Sequence, residues 1–300
     1  MRYINIVISE AQKVQTEMSQ LKITKDGQSF KYPLEDIDCI VFESTQCVIS
    51  TYTLSKFAEH GIACFVCDKK HTPHGILMPF NTHFKRPEVL GLQLNAPKPL
   101  LKRLWQVLVK QKILNQAGCL KLNKKSGVEE LQELVSKVQS GDASNTEAVA
   151  ARKYFLYLFG NGFSRNRECF ENAALNYCYS IVRGAIARTL SLFGFETCLG
   201  LGHHSSLNAF NLADDLIEPF RAMCDALVCT LDAVVDDKLY SYHKQILTGV
   251  MQLSCRVGDE TVSVSYAIER LVESLKKSLS KGEVLLRLPE ILPIMTKKYE

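Results

Sequence analysis

The chain has 300 residues, 46% hydrophobic and 23% charged, with 36 Lys and Arg against 32 Asp and Glu for a formal net charge of +4. This ordinary globular composition has room for one or two domains and excludes a disordered or low-complexity chain, while the small net charge makes nucleic-acid binding depend on where the charges sit. The N-terminal apolar run is too short for a signal peptide and no stretch approaches the roughly 18 apolar residues of a membrane span, so a cytoplasmic protein with no membrane partner is expected.

Up to about residue 80, short β-rich runs alternate with turns. Strands are expected over Tyr3 to Ile8, Leu21 to Ile23, Cys39 to Phe42, Val48 to Ser50 and Ile62 to Cys67, with Asp26-Gly27 as a hairpin signal. One helix, Tyr52 to His60, ends at Gly61, and Pro73, Gly75 and Pro79 close the region. Cys64 and Cys67 with His71 and His74 offer four zinc ligands, but only three residues separate the two pairs. A finger needs about twelve. The eleven cysteines are an odd number without regular spacing, and reduced buried thiols are expected.

Residues 81–99, with Pro87, Pro97 and Pro99, look like a linker with some structure of its own. Beyond it the apolar spacing becomes helical. Leu101, Leu104, Trp105 and Leu108 share one face, and Val128, Leu131, Val135 and Val138 repeat the pattern before Gly141. Further helices are expected over Ala148 to Leu158, Ala173 to Leu192, Asn208 to Val235 and Val262 to Leu279. The expected architecture is α+β with two domains: a small, mostly β N-terminal domain (1–80), the linker (81–99) and a larger all-α domain (100–300).

Charge is unevenly spread. Residues 89–128 contain no Asp or Glu, and Lys102, Arg103, Lys110 and Lys112 make that stretch a candidate phosphate-contacting surface; a solvated helix face is the plain alternative. Arg152, Arg165 and Arg167 form a second basic cluster, and Arg221 offers either a phosphate contact or a neutralising partner for nearby acids.

Three segments have residues suited to chemistry. Ser144 followed by Glu147 reads as a capping box, with Glu147 reaching back to a backbone amide. His203 and His204 follow a glycine-bearing turn, and imidazole binds divalent metals near neutral pH. Asp214, Asp215 and Glu218 share a helical face, where like charges need an offsetting cation: Arg221, a helix restarting at Pro219, or Mg²⁺ or Mn²⁺.

These segments, together with Lys102-Arg103-Leu104-Trp105-Gln106, Lys112-Ile113-Leu114-Asn115-Gln116-Ala117, Asn172 to Tyr177 and Asn211 to Arg221, resemble the CRISPR-associated integrase and endonuclease family that inserts new spacers into the repeat array. The resemblance spans nearly the whole chain and is similar to members that accompany RNA-guided type II systems. It departs at Cys178, where a Gly often stands, and at Ala222, where Pro is usual.

The resemblance implies that Glu147, His204 and Glu218 are catalytic and bind Mg²⁺ or Mn²⁺, with His203 and Asp215 accessory. It further implies a homodimer built by the β domain, double-stranded DNA as substrate, and a small companion adaptation protein in a larger complex. The expected reaction is metal-dependent transesterification by a free 3′-hydroxyl, and removal of any one ligand should spare stability because the buried ligands repel one another. Two other readings stay open: a metal-dependent nuclease on RNA or branched DNA that does not join strands, and a non-catalytic DNA-binding scaffold.

Overall fold

The structure, a computed structural model, describes residues 4–11, 13–68, 73–78, 86–232 and 238–294. Its N-terminal elements are β1 (Ile4–Ile8), β2 (Lys13–Glu17), β3 (Gln20–Lys25), β4 (Gln28–Pro33), β5 (Ile37–Phe42), β6 (Val48–Ile49), α1 (Thr51–Glu59), β7 (Ala63–Cys67) and β8 (Pro73–Leu77). Both hairpins of the β2–β3–β4 meander turn on two residues with positive φ, Met18 and Ser19 in one and Asp26 and Gly27 in the other. That geometry matches the right-handed twist of the strands. The Asp26-Gly27 turn was legible in the sequence, whereas the first turn lacks a glycine.

Two four-stranded sheets result, ordered β1-β5-β7-β8 and β4-β3-β2-β6. In the first, β1, β5 and β7 are parallel and β8 closes the edge antiparallel to β7. Every residue of β5 is buried, as a strand of a parallel sheet is when both faces are covered, and its one charge, Asp38, is paired inside the fold. Ile40 and Phe42 join Ile6, Ile8, Val14 and Leu21 in a small core shared by the two sheets. Cys39 and Val41, with Phe65 of β7, belong to the larger core built by the helices.

Pro73 and Gly75 do not close the β region but lie within β8, an edge strand that tolerates a residue without an N–H. Pro79 and His71 lie outside the described residues, as do Tyr3 of the first expected strand, residues 81–85 of the expected linker and Val235. Cys64 and Cys67, three apart on one strand, belong to different cores, which removes the convergence a zinc site needs; all eleven cysteines are free thiols.

The remaining elements are α2 (Arg86–Leu94), α3 (Lys98–Leu122), α4 (Val128–Lys137), α5 (Thr146–Phe159), α6 (Phe170–Leu192), α7 (Asn211–Leu216), α8 (Arg221–Val228), α9 (Ser241–Thr248), β9 (Ser254–Val257), β10 (Glu260–Ser263), α10 (Val264–Lys281) and β11 (Glu290–Ile291). α2 lies inside the stretch read as a linker, fixed by the Arg86–Glu196 ion pair at 2.7 Å. The expected helix from Asn208 is broken into α7, a 3-10 turn Glu218–Phe220 and α8, because Pro219 has no N–H to continue the ladder. Val262 and Ser263 belong to β10, and the Ser263 hydroxyl caps α10 by accepting from the Tyr266 amide. The helical part also holds a small antiparallel sheet, β10-β9-β11, where the sequence pattern suggested helices alone. Among the described residues no helix is long and apolar enough to cross a membrane.

Two buried ion pairs clamp the first sheet to the helices. Arg188 of α6 donates to the Asp38 carboxylate at 2.7 Å and to the Asp38 carbonyl at 2.8 Å, while Ser265 of α10 donates to the other carboxylate oxygen. Lys244 of α9 pairs with Glu43 at 2.9 Å. Gly184 lets α6 come this close, since a Cβ there would lie 2.0 Å from the Phe65 ring.

Candidate active site

The site is assembled on the middle of α3. Asn115 donates to the carbonyls of Pro219 and Pro289, which seats the 3-10 turn Glu218–Phe220 against α3 and aims Glu218 toward Lys112. Glu147 arrives from the first turn of α5. That turn is capped by Asp142, whose carboxylate accepts from the amides of Thr146 and Glu147, and not by the expected Ser144 box; Asn145 takes left-handed φ at the start of the helix. Glu147 is therefore free of any capping duty, and its carboxylate meets the Lys112 ammonium instead.

Lys112 lies between two carboxylates, contacting Glu147 Oε1 and Glu218 Oε2, and Arg221 Nε donates to Glu218 Oε1 at 3.0 Å. Burial opposes the charge of Glu218, but the Arg221 guanidinium and Lys112 ammonium outweigh it and hold the carboxyl down to about 2. Burial likewise opposes the charge of Lys112, and the two carboxylates overcome it, raising its pKa.

These groups line a cavity of about 220 Å³ together with Gln116, Arg165, Tyr179 and Asp225. Arg165 is held by the side-chain oxygens of Asn172 and Asn176 and lies over the Phe155 and Tyr179 rings; Arg221 lies 4.6 Å from the Tyr179 ring centre. Two guanidinium planes braced on aromatic faces beside carboxylates suit the binding of a phosphodiester.

Asp225 escaped the sequence reading. Its one signal was a lone charge in the apolar run Ala222 to Val228, seven residues past Glu218. It accepts from the hydroxyls of Tyr154, at 2.8 Å, and Tyr179. Burial raises its carboxyl to about 6, against those hydroxyls and the two arginines. A carboxyl whose folded pKa lies above its ordinary 3.8 makes the fold less stable as pH rises between those values. Asp225→Asn is therefore expected to gain stability relative to wild type between pH 4 and pH 7, read from urea midpoints across that range; a constant difference would contradict it.

The histidine loop is built around Asp215. This fully buried carboxylate accepts from the amides of Leu201, Gly202 and His203 and bonds His203 Nδ1 at 2.7 Å. The Asp215 hydrogen bond, opposed by partial burial, raises the His203 pKa. The His203 ring meets Trp105 edge-on, and Gly202 allows the approach, because a Cβ there would lie 2.4 Å from the indole. Asp215 and His203 thus organise the turn. His204 is exposed and lines a second cavity with Leu94, Leu101 and Leu212. The structure therefore brings Glu147 and Glu218 together and leaves His204 apart, and among the described residues no group of three or more His, Cys, Asp or Glu forms a metal site. Asp214 pairs with Arg183, so the three acids of this segment face three different sets of partners and the expected crowding on one face is relieved.

Of the basic candidates, Lys102, Arg103, Arg152 and Arg167 are exposed, Lys110 is half-buried, and Arg165 and Arg221 border the cavity. Lys112 is the exception: at 5% exposure inside an ion-pair cluster it does not belong to a solvated phosphate-contacting surface. Neutralising Lys102, Arg103 and Lys110 together is expected to lower the slope of log affinity for duplex DNA against log salt by about 2 to 3, since each phosphate contact releases counterions. A fluorescence-anisotropy salt series checks this, and an unchanged slope would return α3 to a solvated face.

A family model described as CRISPR associated protein Cas1 matches residues 6–239. The chain is 40% identical over 304 residues to the CRISPR-associated endonuclease Cas1 of Neisseria meningitidis serogroup C (strain 8013), with 100% of each chain covered. Its fold is similar to that of a casposase bound to integration product, with TM-score 0.76 at 16% identity over 100% of this chain and 95% of that one. It is also similar to part of a Cas6-RT-Cas1–Cas2 complex, with TM-score 0.74 at 17% identity over 96% of this chain and 36% of that one. The match across most of its length and the full-length identity to the meningococcal protein place the chain in the Cas1 family.

Proposed function

We propose that the chain is a metal-dependent DNA endonuclease and integrase that inserts short duplexes into a CRISPR repeat array by transesterification from a free 3′-hydroxyl. The observation that carries this reading is the meeting of Glu147 and Glu218 around one cation in an open cavity bordered by Arg165 and Arg221. Membership of the Cas1 family, the endonuclease named for the meningococcal relative and the casposase bound to its integration product support it.

Two carboxylates already sharing a hard cation, the Lys112 ammonium, are a donor set that suits Mg²⁺ or Mn²⁺, which prefer oxygen ligands. Glu147 and Glu218 would hold the ion; His204, the third ligand that the family resemblance implies, lines a separate cavity here. Bound there, it would supply Lewis acidity to a phosphodiester oxygen. The chain's own residues do the rest. Arg165 and Arg221 present planar donors to the phosphate, Glu218 stays ionised through the neutral range, and Asp215 with His203 fixes the turn that leads to His204. One phosphodiester bond forms as another breaks, so the reaction needs no outside energy source.

The partners in this reading are double-stranded DNA, a second copy of the chain joined through the N-terminal β layers, and a small companion of the kind found with Cas1 in the Cas6-RT-Cas1–Cas2 complex. The setting is the cytoplasm. The test is a gel assay with a 3′-hydroxyl duplex, repeat-bearing DNA and Mg²⁺, Mn²⁺ or chelator. Joined product that requires the ion is expected. Ion-dependent cutting without joining would point to the simple nuclease, and DNA binding without turnover to the scaffold; either overturns the proposal.

A further inference from the structure

We propose that Lys112 is a built-in counter-cation that holds the space between Glu147 and Glu218 in the ion-free protein, and that a divalent cation binds there by displacing it toward Gln116. The inference rests on the reading of the two carboxylates as ion ligands given above. Lys112 contacts one oxygen of each carboxylate, and Arg221 takes the second oxygen of Glu218, so the cluster of two anions and two cations is already neutral. A divalent ion added to it without rearrangement would leave two surplus positive charges beside the buried Lys112 and Glu218, where Coulomb repulsion is less screened than in water.

One of the resident cations has to yield. Arg221 is braced over the Tyr179 ring, whereas Lys112 carries its charge on a flexible four-carbon stem and stands between both carboxylates. A place for the displaced ammonium exists. Gln116 lies four residues on along the same face of α3, 2% exposed and lining the cavity, and its side-chain oxygen has no hydrogen-bond partner among the described residues. An unpaired buried acceptor beside a buried ammonium is costly in the ion-free state and satisfied in the displaced one.

The experiment measures Mn²⁺ binding to the full chain by titration calorimetry, with no DNA present. Lys112→Met is expected to bind Mn²⁺ about tenfold more tightly than wild type, because no ammonium has to be moved. Gln116→Leu is expected to bind it several-fold more weakly. A folded Lys112→Met protein with unchanged or weaker affinity overturns the proposal. Should that variant fail to fold, the wild-type chain labelled with ¹⁵N-lysine decides: the Lys112 ammonium resonance shifts when Mg²⁺ saturates the site, and an unmoved resonance with Mg²⁺ bound overturns displacement. Glu218→Gln separates the two readings. Loss of Mn²⁺ binding in Glu218→Gln alongside unchanged affinity in Lys112→Met defeats displacement alone, whereas undiminished binding in Glu218→Gln defeats the ion site and displacement together.

Discussion

Glu218→Gln is expected to abolish strand transfer and to lower stability at neutral pH by about 3 to 5 kcal/mol, the range for removing one partner of a buried ion pair. The second effect reverses the expectation drawn from ligand repulsion. Glu218 is 4% exposed and does not face Glu147 as a bare like charge; it faces Lys112 and Arg221. An amide in its place leaves Arg221 without its anion and Lys112 with Glu147 alone.

The pH dependence has a definite sign. The Glu218 carboxyl lies at about 2 in the folded chain against an ordinary 4.5, so the stability it contributes is present above 4.5 and is lost as pH falls toward 2. Urea unfolding should therefore show a wide gap between wild type and Glu218→Gln at pH 7 that narrows below pH 4.5. Equal stabilities at pH 7 would mean that the cluster is not formed as described.

The other large effect lies far from the cavity, at the clamp between β5 and α6. Arg188→Met is expected to destabilise the chain by about 3 to 5 kcal/mol, because Asp38 would keep its charge in a buried site with the Ser265 hydroxyl as its remaining side-chain partner. The Asp38 carbonyl would lose a donor as well. Asp38→Asn in the same background should recover part of the loss by removing the stranded charge, and a double-mutant cycle measures the coupling. A single-variant effect below about 1 kcal/mol would show that the clamp is replaceable by solvent.

How far the sequence reached follows from the range of the interactions involved. β5 and β7 were legible as short apolar, β-rich runs, Cys39–Phe42 and Ala63–Cys67, although β5 also takes in the paired Asp38 and β7 leaves Val66 exposed. The β3–β4 hairpin was legible because Asp26-Gly27 suits a turn with positive φ. β2 and β4 were not. Their residues, Lys13–Glu17 and Gln28–Pro33, are largely polar, with β4 mostly exposed and Val14 the one buried side chain of β2, and pairing to β3 supplies the order that their own pattern does not. The segment from Asn208 read as one helix by apolar spacing, although Pro219 had marked where it could restart, and the tertiary fold used that break to seat Glu218.

Sequence alone determined the β-then-helical order, the cysteines as free thiols and, through the family resemblance, Glu147, Glu218 and the histidine pair as the residues to watch. Tertiary structure decided what those residues touch. It made Asp215 the organiser of the histidine turn, placed His204 on a separate cavity, drew Asp225 and Gln116 to the site and buried Lys112 between two carboxylates. The physical reason is that local propensity and periodicity depend on neighbours within a turn or two, whereas Lys112 meets a carboxylate 35 residues away. The choice between phosphate contact and buried counter-ion depends on whether water reaches the ammonium, and that depends on how the helices pack around α3.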